Sequence, residues 1–369
     1  MTSRDRRFWR DKRVLITGHT GFKGSWLAAC LTRYGARVTG FALPPADHHS
    51  LFVASGLDEV IDHNEGNILD GAALVAVLNR AQPEIVFHLA AQPLVSAGYE
   101  DPAGTYATNL LGTVCLLDRL RGSRSLRAAL MVTSDKCYQP QTHPLREDDR
   151  LGGVDPYSAS KACAELAVDA FRQGYAADFD GAGLATVRAG NVIGPGDWAP
   201  ERLLPDLARA VATRSKMVLR RPDAVRPWQH VLDAITGYLT LAEALAQAPR
   251  THSGAWNFGP DTDQILTSRD VVALALKTMG PLELQEVAPA GPIETHSLLL
   301  DSAKARRRLG WRPRWSTTVA IERVARGYRS LIDGMPASLI MAQEIEAHAL
   351  KPTTTRPHEE PADDFAIAS

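Results

Sequence analysis

The sequence predicts an α/β fold, a doubly wound parallel sheet with a smaller C-terminal domain, on three observations. Short β-branched runs alternate with longer amphipathic stretches through the first half of the chain. The runs are almost continuously apolar, as strands covered on both faces must be. A glycine-rich turn joins the first run to the first amphipathic stretch, at 18–24.

The expected strands are RVLIT (13–17), RVTGFA (37–42), EIVFHLA (84–90), AALMVTS (128–134) and LATVRAG (184–190). Between them, GSWLAACLTRYG (24–35) and DGAALVAVLNRA (70–81) carry helical spacing. Beyond about residue 190 the alternation loosens and Gly and Pro become frequent, as in GPGDWAP (194–200). There a substrate-capping region is expected to leave the sheet. The expected division is a nucleotide-binding domain over 8–190 with a return segment near 229–258, and a discontinuous substrate domain over 191–335. A tail follows over 336–369. Its end, KPTTTRPHEEPADDF, is polar and Pro-rich and is expected to be disordered. Cutting the chain after about residue 340 is therefore expected to cost little.

Composition narrows the function. The 369 residues are 45% hydrophobic and 22% charged, with a net charge of −1. No global charge draws the chain to nucleic acid or to an anionic membrane, so phosphate recognition has to come from local groups. Cys30, Cys115, Cys137 and Cys163 show no metal-ligand spacing, which points to no metal site and to a reduced, cytoplasmic protein. The basic start RDRRFWRDKRVLITG superficially mimics a leader, but its apolar run spans only Val14 to Ile16. No apolar run is long enough to cross a bilayer, and a soluble protein is expected.

The turn Gly18-His19-Thr20-Gly21-Phe22-Lys23-Gly24 leaves a strand and opens a helix. Glycines at 18, 21 and 24 allow a tight turn and close approach of a pyrophosphate to bare backbone, with the helix N-terminus supplying N–H donors. His19 and Lys23 either meet phosphate or ribose or are solvated loop side chains. The second strand ends Gly40-Phe41-Ala42-Leu43 without a carboxylate, so the choice between NAD and NADP is open at that position.

Tyr157 and Lys161 stand one helical turn apart at the start of YSASKACAELAVDAFRQGY. A lysine cation beside the phenol lowers its pKa and makes it a base for a hydroxyl group during hydride transfer. Thr133-Ser134-Asp135-Lys136 leaves a strand at its carboxyl end, where doubly wound sheets place ligands. Ser134 suits a hydrogen bond to the reacting hydroxyl. Asp135 and Lys136 are either an added acid and base or a plain polar strand exit.

With these residues set out, GHTGFKG (18–24), HLAAQPLV (88–95), TNLLGT (108–113), TSDKCY (133–138), DPYSASK (155–161), RAGNVIGPGDW (188–198) and RPWQHV (226–231) resemble the CDP-glucose 4,6-dehydratases. That family belongs to the extended short-chain dehydrogenase/reductases. The resemblance runs from about residue 8 to about 335 and implies a Rossmann-type domain with a smaller substrate domain. It also implies bound NAD, a CDP-glucose substrate, and a homodimer paired through helices near 102–121 and 157–174. The implied reaction is oxidation at C4, loss of water across C5 and C6, and hydride return to C6. The resemblance assigns Ser134 and Tyr157 to C4 oxidation, Lys161 to tuning Tyr157, Asp135 to protonating the departing 6-hydroxyl, and Lys136 to removing the C5 proton. It places Gly18, His19, Gly21, Phe22, Lys23, Gly24, Asn67, Ile68, Leu89, Ala90, Ala91, Asn109, Tyr157 and Lys161 at the cofactor. It places Gln92, Asn191, Arg202 and Arg226 at the substrate. A guanidinium such as Arg226 is the expected partner of a diphosphate or, alternatively, half of a structural ion pair.

Two departures stand out. Asn67 replaces an acid of the family, leaving its side-chain carbonyl as the acceptor. Glu294-Thr295-His296-Ser297-Leu298 lacks the family's aromatic residue. The competing readings are a nucleotide-sugar epimerase of the same superfamily, which needs no C6 acid or C5 base, and a non-catalytic nucleotide-binding protein, which has no use for a tuned phenol.

Overall fold

The computed structural model describes residues 7–261, 266–287 and 299–350. Its centre is a seven-stranded parallel sheet. The strands are β1 (Arg13–Thr17), β2 (Arg37–Ala42), β3 (Asp62–Glu65), β4 (Ile85–His88), β5 (Ala128–Val132), β6 (Gly183–Ala189) and β7 (Gly254–Phe258). Their spatial order is β7-β6-β5-β4-β1-β2-β3, which places the reversal of strand order between β1 and β4. Ligands of doubly wound sheets bind at the carboxyl ends of the strands beside such a reversal.

Alternation along the strands divides the core. Val14 and Ile16 join Trp26, Phe87, Leu130, Val187, Ile235 and Trp256 on one face. Leu15 joins Leu74, Val86, Leu116, Met131 and Leu184 on the other. The covering helices are α1 (Phe22–Arg33), α2 (Gly71–Ala81), α3 (Gly112–Leu120), α4 (Pro156–Gly174) and α6 (Val231–Gln247), with α5 (Leu203–Thr213) lying apart from the sheet. A further apolar cluster around Leu204, Leu207, Trp228, Val271, Ile321 and Val324 sits beyond the strand ends. It draws on α5, α7 (Ser268–Met279) and α8 (Thr317–Ile332).

The tail expected from residue 336 does not begin there. Residues Ala337–Leu350 form helix α9, which buries Ala337, Met341 and Ile345 against the main core. Arg323 donates to both oxygens of Glu344, at 2.7 and 3.1 Å, and His348 Nε2 lies 2.8 Å from Asp233 Oδ1. Apolar positions at helical spacing after Pro336 explain the helix. The Pro-rich stretch from Lys351 lies outside the described residues, as does 294–298.

Candidate active site

The strand ends build the site. After β5 the chain runs through extended Ser134 into a single tight turn over Asp135–Cys137. Ser134 Oγ donates to Asp135 Oδ1 at 3.0 Å and accepts from the Lys136 N–H at 3.2 Å. Helix α4 opens opposite. Asp155 caps it, accepting from Ser158 N at 2.9 Å and Ser158 Oγ at 2.6 Å, with Pro156 in the first turn. The Tyr157 phenol faces Ser134 across the cleft. Asp135, 4% exposed, packs beside Gly190, where a Cβ would lie 3.2 Å from its Oδ2 and 2.6 Å from Pro227.

One cleft is lined by Lys23, Ser134, Asp135, Lys136, Tyr157, Asn191, Arg202 and Arg226. The expected catalytic triplet, the phenol and three expected substrate ligands thus share one cavity. Gln92 is not in its lining. Its amide donates to Thr105 Oγ1 at 2.8 Å and its carbonyl accepts from Leu94 N, so the side chain shapes the loop. Arg202 Nη1 donates to Asp197 Oδ2 at 2.7 Å, a partner the sequence reading missed.

Burial dominates the electrostatics. It pushes the Tyr157 phenol up to about 12, against the Ser134 hydrogen bond and with help from the Asp135 charge. The expected lowering of this phenol by Lys161 is not what the structure shows, because Lys161 Nζ is directed at the Val132 carbonyl, 3.4 Å away. Burial and the Lys23 charge bring Lys161 down to about 8, opposed by Glu165. Lys23 is also brought to about 8, by burial and Arg202, against Asp135 and Asp197. Burial raises the Asp135 carboxyl, opposed by Lys136, Ser134, Arg226 and Lys23.

The glycine turn fits a dinucleotide. A Cβ on Gly18 would stand 2.6 Å from Ala90 N, and one on Gly24 2.2 Å from Gly18 O, so the turn packs against the start of 89–91 with no space to spare. A Cβ on Gly21 meets only Gly18 O, at 3.4 Å, leaving this face of the turn open. Gly21 begins α1 without a side-chain cap, and no acidic residue stands in the first turn. Free N–H groups and the positive helix end suit a pyrophosphate. Asn109 supports the wall of the site by accepting from Gln92 N at 2.8 Å and donating to Ser160 Oγ at 2.9 Å.

Two expected cofactor contacts, His19 and Ile68, are buried away from the open face, while Asn67 and Lys23 stay open to a ligand. His19 is neither solvated nor turned to the open face: its ring is buried over Gly40, with Nε2 2.7 Å from His63 Nδ1. Ile68 is buried in the core against Gly112. The Asn67 carbonyl already accepts from Leu69 N at 3.0 Å, leaving one lone pair for a ligand. Lys23 is in the cleft rather than in solvent.

Comparison with known proteins adds the relatives. The profile of the NAD dependent epimerase/dehydratase family matches residues 14–259. A CDP-glucose 4,6-dehydratase of Salmonella typhimurium is 42% identical over 348 residues, covering 92% of this chain and 97% of that one. An epimerase of Methanothermobacter thermautotrophicus superposes with a TM-score of 0.78 at 22% identity, covering 89% of this chain and 96% of the other. A dTDP-glucose 4,6-dehydratase of Streptomyces venezuelae, solved with NAD and TYD bound, gives 0.74 at 24%, covering 86% and 96%. At these identities the two structures speak for the fold.

Proposed function

Because the chain belongs to the NAD-dependent epimerase/dehydratase family, we propose that it is a CDP-glucose 4,6-dehydratase, converting CDP-D-glucose to CDP-4-dehydro-6-deoxy-D-glucose and water. The observation that carries this reading is the Ser134-Asp135-Lys136 triplet facing Tyr157 in one cleft. An alcohol oxidation needs only the phenol and the serine. The buried carboxyl and the adjacent amine supply the acid and base that elimination also requires.

The 42% relative supports the choice of CDP-glucose over other nucleotide sugars. The Gly18–Gly24 turn would hold the pyrophosphate of NAD, with Leu89–Ala91, Asn67 and Lys161 around the rest. Bound NAD supplies a hydride acceptor for C4 and a hydride donor for C6. Tyr157 takes the proton of the 4-hydroxyl, with Ser134 holding that oxygen. Burial favours the phenol over the phenolate, and the Ser134 hydrogen bond and the Arg202 charge oppose it. Once C4 is a ketone, the C5 hydrogen is acidic and Lys136 removes it. Asp135, biased toward its protonated form by burial, gives a proton to the leaving 6-hydroxyl. Asn191, Arg202 and Arg226 hold the diphosphate, Arg202 being oriented by Asp197.

The working form is a cytoplasmic homodimer. Support comes from Leu111, 50% exposed just before α3, and Leu166, 60% exposed on α4, two large apolar side chains that a helix pairing would cover. The four cysteines are free, in keeping with a reducing compartment. Among the described residues no helix is long and apolar enough to cross a membrane.

Incubation with CDP-glucose and NAD tests the reading. A 4-keto-6-deoxy product is expected. Formation of a C4 epimer with the 6-hydroxyl retained would move the epimerase reading to the front.

A further inference from the structure

Beneath the reacting groups lies a buried network that the proposed chemistry does not use. Glu165 follows Lys161 by one turn on α4 and is 4% exposed. Its carboxylate accepts from four donors. Arg188 gives Nε at 2.9 Å and Nη2 at 2.7 Å, and Thr186 gives its hydroxyl at 2.6 Å. Thr133, the residue before Ser134, gives the fourth. Arg188, 2% exposed, donates Nη1 to Tyr138 Oη at 2.5 Å and to the Glu147 carbonyl at 3.1 Å. Tyr138 Oη in turn donates to Asn257 Oδ1 at 2.8 Å.

This two-pronged pair joins the elements that carry the site. It ties α4, with Tyr157 and Lys161, to the end of β5 at Thr133. It reaches β6 just before Gly190 and Asn191, and Tyr138 at the exit of the Asp135–Cys137 turn. Fold stability does not require charges here, because well-packed apolar residues often serve as well as a buried ion pair. What apolar residues cannot provide is a fixed negative charge one turn from Lys161. That charge opposes burial and Lys23, both of which favour the neutral amine.

We infer that Glu165, held by Arg188, is a positioning residue of the active site: it fixes α4 against the end of β5 so that Tyr157 meets Ser134, and it keeps Lys161 a cation. The inference rests on the reading of Tyr157 and Lys161 as the acid–base pair of the proposed reaction. It does not depend on which nucleotide sugar is bound.

The test follows Lys161 itself. In protein labelled with ¹³C at lysine Cε, the Lys161 resonance is assigned by its loss in Lys161→Arg. It should titrate near about 8 in the unmodified protein and lower by about one unit or more in Glu165→Gln. Glu165→Asp keeps the charge but shortens the arm, so the titration stays near that of the unmodified protein. Its kcat falls about tenfold or more while KM changes far less. Glu165→Gln strands the Arg188 charge. If that variant does not fold, Glu165→Gln with Arg188→Met removes both buried charges. The Arg188 charge leaves with that of Glu165, so Lys161 is expected to titrate lower again but by less than in Glu165→Gln alone. An unchanged Lys161 titration in whichever variant folds overturns the electrostatic role. An unchanged kcat in Glu165→Asp overturns the positional one. If the unmodified protein does not turn over CDP-glucose, the functional reading fails while the Lys161 titration still decides the electrostatic role.

Discussion

Acidification should destabilise this protein well before its carboxylates titrate, and the cause is a set of buried neutral histidines. His88 lies between Thr17 Oγ1, 2.7 Å from its Nδ1, and Thr113 Oγ1, 3.1 Å from its Nε2. Burial, then the Lys161 charge, lowers its pKa from 6.5 to about 3. Burial, then His63, brings His19 to about 3 as well. His230 and His348 are lowered in the same direction by burial. Each folded pKa lies below the unfolded value, so as pH falls through about 6.5 the unfolded chain takes up protons that the folded one refuses. Stability is lost with falling pH, by about 1.36 kcal/mol per unit for each histidine. At pH 5, His19 and His88 together account for about 4 kcal/mol, against a usual total of about 5–15 kcal/mol. The raised carboxyls of Asp135, Glu147 and Glu344 work the other way and offset part of this. Urea unfolding at several pH values from about 7 to about 5 measures the slope. His88→Gln keeps hydrogen-bonding groups between the two threonines but cannot titrate. It should flatten the slope by about 1.36 kcal/mol per unit. A folded His88→Gln variant with the same slope as the unmodified protein would refute the reasoning.

Four further outcomes are expected. Tyr157→Phe keeps the ring and the packing, so it should fold normally but lose about 10²–10⁴ in kcat, as removal of a general base does; turnover near the unmodified rate would remove Tyr157 from its role. Lys136→Ala should still oxidise C4, seen as reduced-cofactor absorbance, while losing the 6-deoxy product and C5 exchange with solvent. With the unmodified enzyme, substrate deuterated at C4 should give product deuterated at C6, and deuterium lost to water would rule out internal hydride return. Ending the chain after Ile340 removes buried Met341 and Ile345 and the His348 partner of Asp233. It should lower stability by about 3 kcal/mol or more, and an unchanged melting temperature would show that α9 adds nothing.

The elements legible in the sequence were those whose environment is uniform. RVLIT and RVTGFA lie inside the sheet and are buried at every position after the first, so burial wrote a largely apolar run into each. β3 escaped because DHNE is an edge strand in contact with water, and its pattern carries no apolar signal. The return of 229–258 to the first domain was expected, but β7 within it was not read as a strand, because GAWNF joins the sheet only after a long excursion. At the site, the glycine turn and the Tyr157–Lys161 spacing are local and were readable. The direction a side chain takes from a loop is not local. His19 turns inward because Gly40, on the next strand, leaves room for its ring. Glu165 and Arg188 had a signal that went unread: an acid one turn after Lys161, and an arginine within an apolar strand. Either looks like an ordinary surface charge until the two segments are brought together.

The position of β7 has a consequence for how the protein is made. Its pairing with β6 closes that side of the sheet, and Gly254–Phe258 is synthesised long after Gly183–Ala189. At about 5–20 residues per second, several seconds pass between the two on the ribosome. During that interval β6 presents an unpaired row of backbone groups, and the apolar surface later covered by Trp256, Phe258 and α6 is bare. A fragment ending near residue 190 is frozen in that nascent state. The half of the chain that carries the glycine turn and the side chains proposed to react is therefore expected to aggregate when expressed alone. Its solubility depends on sequence that follows it by more than sixty residues, and chaperone demand during synthesis should fall once Phe258 has left the exit tunnel.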